Sequence, residues 1–540
     1  MRSLASNTSK KGYNNMVNNN DQSQWYKTFS QSTSMYDMFQ RSVQRYSDNS
    51  LFIIETPSRK INTVSFSECS KYVDNFAGRL MKDGIINKKA ALIGEFSLEW
   101  FIAFFAVLKL FNTVVPMRSD IISEELHNNI DLTGIDCIIC SDELEEMCKK
   151  ECDNIYTFKS MLIPYETDVT EKPDISYNDN AMIVLTSGTT EQSKAVLLTH
   201  KNLISGTLHT VNVFGKDSFT TDDRLLSFLP PHHMFQIMAG MIIELYYGIS
   251  ICISFNKLNA FTTFEPSIFI AVPEIIEGLH KKVMHLINDK NELLSKLISN
   301  RKSQRKKTEK VFGSKLKAII SGGAATNNEL LDSFDKLGIK ILTAYGMTEC
   351  SPLISASTFE ANKYGAVGRV NTTPYCQVKI KNEEILVRGD IVFNGYYNND
   401  KAECEAFDGD WFRTGDMGYI DDDGYLFITG RLKNLIILSD GNNISPEYIE
   451  SVLIEQKEVD DALVYAQKNN KAVMLNADVI LSDNIGDYDK NAVSEQLMKY
   501  INAKLPAYSH LSKINIVTEQ FRRNSLGKKV RYQMAGGVQQ

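Results

Sequence analysis

"AMIVLTSGTTEQSKAVLLTHKNL", Ala181 to Leu203, begins as an unbroken apolar run and turns abruptly into small hydroxyl residues, a glycine and then a lysine. The apolar run has the length of a buried strand, and "NLISGTLHTV" (Asn202 to Val211) beyond it reads as a helix. A strand, a loop with free backbone N–H groups and a helix together make a ready anion site. Ser187, Thr189 and Thr190 can donate hydroxyl hydrogen bonds, Gly188 permits close backbone approach, and Lys194 adds charge. This is not a Walker loop, because the second glycine before the lysine is missing. Taken alone, the stretch is equally compatible with a polar turn bearing a surface lysine.

Outward from this loop the same texture repeats. Between about Trp25 and Tyr364, short β-rich runs ("AALIGEF", "NTVVPM", "DCIIC", "SIFIAV", "LKAIISGG", "IKILTAYG") alternate with helical stretches such as Phe66 to Asp83 and Pro273 to Ile287. Such alternation predicts an α/β fold of mostly parallel sheets covered by helices. From Gly365 to Phe427 the pattern changes to short strands with Gly and Asp turns, a small antiparallel, barrel-like region. After Gly430 comes a self-contained strand-helix pattern long enough for a small, mobile α+β domain. The expected division is a disordered tail at 1–22, a large domain at 23–429 and a small domain at 430–540, with a hinge near Lys433.

A chain of 540 residues is too long for one core. Its formal charge of −7 argues against nucleic acid as partner. Nine scattered cysteines fit a reducing, cytoplasmic setting. Cys137 and Cys140 lie three apart on a strand and face opposite ways, so they read as structural cysteines and not as zinc ligands. The most apolar window, Leu98 to Met117, contains Lys109 and Pro116 and reads as a buried helix running into a strand, so no transmembrane segment is expected.

Further stretches fall in order behind the loop. "SFLPPHHMFQ" (Ser227 to Gln236) carries a histidine pair. "SGGAAT" (Ser321 to Thr326) is a small-residue turn that lets a flat ring lie on backbone. "TAYGMTECSP" (Thr343 to Pro352) supplies an aromatic ring, a glycine, a threonine and a carboxylate. "DGDWFRTGD" ends in Asp416, a carboxylate in a turn suited to two vicinal ribose hydroxyls. "GRLKNLIILSDGNNISPEYIE" (Gly430 to Glu450) and "RRNSLGKK" (Arg522 to Lys529) complete the series.

With these residues in this order, the chain resembles the adenylate-forming (AMP-binding) superfamily over about Met38 to Arg531. It looks most like the fatty-acyl-CoA synthetase branch, through "YGMTECSPLIS", "GAVGRV" and "EILVRGDIVFNGYY". The resemblance implies ATP-dependent activation of a carboxylic acid as acyl-AMP, with Mg²⁺, followed by transfer to the thiol of coenzyme A. It implies a phosphate loop from Thr186 through Ser187, Gly188, Thr189 and Thr190 to Lys194. Tyr345, beside Gly346, would stack on adenine, with Gly322, Gly323 and Ala324 on the other side. Thr348 would contact the α-phosphate and Glu349 would help hold Mg²⁺. Asp416 and Arg431 would bind ribose, Lys433 would be the pivot of the small domain, and Lys528 would be the catalytic lysine. Lys529 would then be a surface charge. His233 matches the acyl-pocket histidine, with His232 structural. The apolar stretch "MFQIMAGMIIELYYG" (Met234 to Gly248) suits a fatty or other apolar acyl group and shows no carboxylate placed to hold an amino group.

The loop departs from the family pattern at Glu191, Ser193 and Ala195, where Gly, Pro and Gly are usual. A carboxylate facing pyrophosphate would oppose binding, so Glu191 is expected to point to solvent at the loop tip. Two other readings stand beside the coenzyme A ligase: a free-standing ligase that loads the phosphopantetheine of a separate acyl carrier protein, and an inactive nucleotide-binding homologue. The basic run Arg301 to Lys310 reads as a solvated helix face.

Overall fold

A computed structural model of the chain describes residues 21–162, 175–186, 194–257, 259–288, 308–370, 373–438, 443–469, 472–482, 489–523, 529 and 531. Helical structure starts at residue 21, where Asp21 pairs with Arg45 at 2.6 Å. In chain order the strands of the large α/β part are β1 (Ser50–Glu55), β2 (Ile61–Ser65), β3 (Lys89–Ile93), β4 (Thr113–Met117), β5 (Cys137–Cys140), β6 (Ile155–Thr157), β7 (Asn180–Thr186) and β8 (Lys194–Thr199). They continue with β9 (Arg224–Ser227), β10 (Ser250–Ile253), β11 (Ile268–Ala271), β12 (Ala318–Ser321), β13 (Lys340–Gly346) and β14 (Leu353–Ala356).

Two sheets result. One runs β14-β13-β12-β11-β9-β10-β1-β2, parallel throughout its middle, with antiparallel edge strands β14 and β2. The second has β8-β7-β4-β3-β5-β6, parallel except for the β7–β8 hairpin. The helix Leu98–Lys109 shows why the sequence reads as it does. It is apolar on every side because Trp100, Phe101, Phe104 and Phe105 all lie in the core between the sheets. Its last residue, Lys109, reaches out to Asp74 at 2.7 Å and so keeps its charge paired. Cys137 packs in this main core and Cys140 in the cluster on the other face of the sheet, as strand alternation requires.

The antiparallel region follows as β15 (Gln377–Lys381), β16 (Glu384–Arg388), β17 (Gly395–Tyr396), β18 (Phe407–Asp408), β19 (Trp411–Ile420) and β20 (Leu426–Arg431). β15-β16-β19-β18, with β20 on β19, make a five-stranded half-barrel sheet, while β17 leaves it to cover the β8 edge. The two short strands β21 (Ile436–Ile437) and β22 (Asn443–Ile444) come next. A three-stranded sheet of β23 (Val459–Asn469), β24 (Ala472–Leu481) and β25 (Lys513–Val517) closes the chain. Its apolar core, drawn from residues 444–514 with the helices Pro446–Ile454 and Lys490–Lys504, is a cluster of its own. No helix of the described residues is long and apolar enough to cross a membrane.

Two buried histidines tie the helix His200–Phe214 into the large part. His209 Nε2 donates to the Ile354 carbonyl at 3.1 Å and its Nδ1 meets Thr373 Oγ1 at 2.9 Å. His200 Nδ1 accepts from the Met35 amide at 3.1 Å. Burial lowers both imidazoles to about 4. Below pH 6.5 the unfolded chain therefore binds protons that the native state refuses. Stability should be intact above that pH and fall as the pH drops toward 4, by roughly 2 kcal/mol per histidine at pH 5. Urea midpoints at pH 7.5 and 5 measure this; equal midpoints for His209→Gln and wild-type protein in their fall with pH would refute the assignment to His209.

Candidate active site

Parallel strands present their C-terminal ends together, and ligands of open α/β sheets bind there. β12 and β13 are paired in parallel with Ser321 opposite Thr343. Gly322, Gly323 and Ala324 therefore leave the sheet beside Tyr345 and Gly346. The ring of Phe235 lies under Gly322, 3.1 Å from where a Cβ would stand. His233 stands at the N-cap position of the short helix Met234–Ile237 that carries Phe235, and its ring centroid is 4.0 Å from that of His232. His232 is lowered to about 4, first by burial and then by Arg118, with Asp120 and Glu95 opposing. Glu95 and Arg118 follow β3 and β4, so the ends of both sheets meet at the histidine pair.

Tyr345 is buried, and its hydroxyl donates to Asp416 Oδ2 at 2.9 Å. Asp416 Oδ1 pairs with Arg431 Nε at 2.7 Å. The expectation that Asp416 sits in a turn needs correction: it lies inside β19, directly opposite Arg431 on β20. The β16–β19 register slips at this point, and Gly415 before it has φ +70°. A bulge re-aims a strand side chain, and here it carries a carboxylate to Tyr345.

A second grouping forms around Glu349. Gly346 is required by contact, since a Cβ there would stand 1.8 Å from the Pro352 carbonyl oxygen. That approach lets residues 346–352 turn tightly, with Thr348 and Glu349 starting a short 3₁₀ helix. A close backbone contact fixes the turn from behind, because a Cβ on Gly206 would stand 2.2 Å from the Ser351 oxygen. Glu349 Oε1 accepts from the Tyr396 hydroxyl at 3.0 Å, and Lys194 Nζ lies 4.6 Å from the centroid of the Tyr396 ring. Lys433 stands between the two groupings. Its ammonium is pushed down by desolvation and then by Arg431, while Asp416 and Glu349 act to raise it.

Thr186 and Lys194 are opposed in the β7–β8 ladder, and Thr186 Oγ1 donates to the Lys194 carbonyl at 3.2 Å. This corrects the strand-loop-helix expectation. β8 intervenes before the helix His200–Phe214, so a β-hairpin presents the loop, and the helix N-terminus is capped by Thr199. "KAVLLT" (Lys194 to Thr199) is a short apolar run that forms the strand, and the helix starts only at His200. Ser187, Gly188, Thr189, Thr190, Glu191, Ser193, the run Arg301 to Lys307 and Lys528 lie outside the described residues.

Lys529 also departs from expectation. It is not a surface charge: its side chain is 13% exposed, with Nζ 2.6 Å from Asp461 Oδ1. Tyr396 is a residue the sequence reading did not single out. No local signal brings it to Lys194, because the pairing of β17 with β8 spans about 200 residues.

The family model for AMP-binding enzymes matches residues 39–397, and that for the AMP-binding enzyme C-terminal domain matches 448–528. The chain belongs to the AMP-binding enzyme family. It is 28% identical over 324 residues to a long-chain-fatty-acid–CoA ligase of Mycobacterium bovis, a match covering 53% of this chain and 52% of that protein. The chain thus spans about half the length of that relative. It is 27% identical over 504 residues to the Drosophila melanogaster long-chain-fatty-acid–CoA ligase heimdall, covering 77% of this chain and 72% of that one. Among solved structures, the O-succinylbenzoate coenzyme A synthetase of Bacillus subtilis in complex with ATP and magnesium ion superposes with a TM-score of 0.74 at 22% identity. It covers 92% of this chain and 98% of its own, a likeness of fold.

Proposed function

We propose that the chain is an AMP-forming acid–thiol ligase that joins a carboxylic acid to the α-phosphate of ATP and passes the acyl group to coenzyme A. The observation that carries this reading is the convergence of Lys194, Glu349, Asp416, Arg431 and Lys433 at one end of the sheets. The names of the relatives support the ligase class, and ATP with magnesium in the solved relative supports the cofactors.

A free carboxylate is a poor electrophile, and adenylation turns one of its oxygens into a leaving group. Tyr345 and the Gly322–Ala324 turn would hold adenine between them, and the Asp416–Arg431 pair would take the ribose hydroxyls. Glu349 fits a hard cation: Oε1 is occupied by Tyr396, and Oε2 carries no hydrogen bond among the described residues. Bound there, Mg²⁺ would neutralise the charge on the phosphate oxygens. Thr348 and Lys194 would reach the phosphates, with Ser187, Gly188, Thr189 and Thr190 supplying loop donors. Lys528 would bridge the attacking carboxylate and the α-phosphate.

The acid we propose is fatty or otherwise apolar. Met234, Ile237, Met238, Met241 and Ile242 are buried, and a π-helical turn at Met238–Ile242 widens this stretch behind Phe235. Glu244, the carboxylate within this stretch, is wholly buried, and burial pushes its carboxyl well above the carboxylate range. It offers no fixed negative charge to an ammonium group. All nine cysteines are free, which supports a reducing, cytoplasmic setting.

Acid-dependent ATP–pyrophosphate exchange across a panel of acids tests the proposal. Absence of exchange and of AMP release with every acid would favour the inactive homologue. Transfer to a carrier protein but not to free coenzyme A would favour the carrier-loading ligase. The hinge has its own test. Lys433→Pro should preserve exchange and abolish thioester formation, because the two steps need different domain arrangements. Lys433→Ala controls for loss of the ammonium, and equal loss of both steps in the proline variant alone would remove the rotation idea.

A further inference from the structure

Tyr396 is in contact with two opposite charges at once. Its hydroxyl donates to Glu349 Oε1 at 3.0 Å, and the Lys194 ammonium stands over its ring, 4.6 Å from the centroid. Burial, and then the Glu349 charge, raise the phenol well above its ordinary range, so the hydroxyl stays protonated and remains a donor. Lys194 and Glu349 themselves form no ion pair among the described residues, although Lys433 feels the charge of both.

The fold fixes this placement from three sides. β17 pairs antiparallel with β8 and sets Tyr396 opposite Val196. Strand residues two apart share a face, so Lys194 is the diagonal neighbour of Tyr396 across the pair. The segment leading into β17 is bonded to the turn that carries Glu349: the Phe393 amide donates to the Glu349 carbonyl at 2.8 Å, and Ser351 Oγ donates to the Ile391 carbonyl at 2.9 Å. The Phe393 ring meets the Tyr396 ring edge-on, with centroids 4.8 Å apart, and limits its rotation.

We propose that Tyr396 is a positioning residue that keeps these two charges apart: its hydroxyl orients Glu349 toward a divalent cation, and its ring holds Lys194 ready for the phosphates. The inference rests on the reading of Glu349 as a Mg²⁺ ligand and of Lys194 as a phosphate contact. Without the tyrosine hydroxyl, Coulomb attraction draws the flexible lysine onto the carboxylate, and each charge neutralises the other. Such a pair has to break before either group can serve the nucleotide. A cation–π contact is weaker than a charge-assisted hydrogen bond to phosphate, so the ring holds the ammonium and still releases it when a triphosphate arrives.

Calorimetry of ATP binding to the full-length protein, once with Mg²⁺ and once in excess EDTA, gives the factor by which the metal tightens ATP. That ratio is the readout, measured for wild type, Tyr396→Phe, Lys194→Met, the Tyr396→Phe/Lys194→Met double variant and Glu349→Gln. Tyr396→Phe keeps the ring packed on Phe393 and removes only the donor, and the ratio should fall by roughly tenfold. The double variant should recover the ratio to within about threefold of Lys194→Met alone, because no ammonium remains to capture the carboxylate. A wild-type ratio in Tyr396→Phe would overturn the inference. So would a ratio that stays low in the double variant, since the tyrosine would then act by packing alone. A wild-type ratio in Glu349→Gln would instead bring down the underlying reading of Glu349, and the positioning role with it.

Discussion

Replacing Lys528 with alanine is expected to slow acyl-adenylate formation by roughly 10²–10³-fold, the cost of one transition-state contact of about 2.7–4 kcal/mol. The incoming carboxylate and the α-phosphate are both anions, and their repulsion peaks where the new bond forms. An ammonium group between them offsets that repulsion without strengthening the ground state equally. Thioester formation from supplied acyl-adenylate should be spared, because in the proposed hinge motion the small domain turns away between the two steps. Pyrophosphate exchange and single-turnover thioester assays on the same preparation check both halves. Undiminished exchange would sink the assignment. Lys529 is no rival for the role: its ammonium is committed to Asp461 and the Ala462 carbonyl.

Asp416→Ala should weaken ATP binding by on the order of 2–4 kcal/mol, the loss of two charge-assisted hydrogen bonds to ribose. Calorimetry would read this as a drop of roughly 30- to 10³-fold in affinity. Asp416 is 3% exposed and both its oxygens already have protein partners, so the substitution also strands Arg431 and the Tyr345 hydroxyl. Asp416→Asn separates the two effects, because it keeps an acceptor for Tyr345 while removing the charge that Arg431 needs. An alanine variant that binds ATP as tightly as wild type would break the ribose assignment.

Seven strands of the two large sheets, β3, β4, β5, β7, β11, β12 and β13, were readable because each is a short apolar run bounded by glycine or polar residues, and the Leu98–Lys109 helix because nothing apolar so dense survives in water. The order of the motifs carried the proposed nucleotide site. What stayed hidden depends on contacts between distant residues. Asp416 reads as a turn residue since glycine precedes it, yet that glycine serves a bulge in a long strand. Lys529 reads as solvent-exposed since it follows another lysine, and only the fold places Asp461 against it. Gly206 looks like a helix-weakening residue, and its purpose appears only with the Ser351 carbonyl in view.

The two-residue strand β17 has a consequence for how the chain is made. Val196 on β8 finds its outer partner in Tyr396, and Leu197 in Gly395. On the ribosome, at about 5–20 residues per second, that partner emerges roughly 10–40 s after the hairpin it completes. Until then β8 is a bare edge next to the proposed phosphate loop, with amides and carbonyls free to template pairing with another nascent chain. The small domain has no such wait, since β23 and β24 are neighbours and β25 follows within the same stretch. The small-domain sheet is therefore quick to close once made, while the sheet that holds β8, begun early, waits for β17.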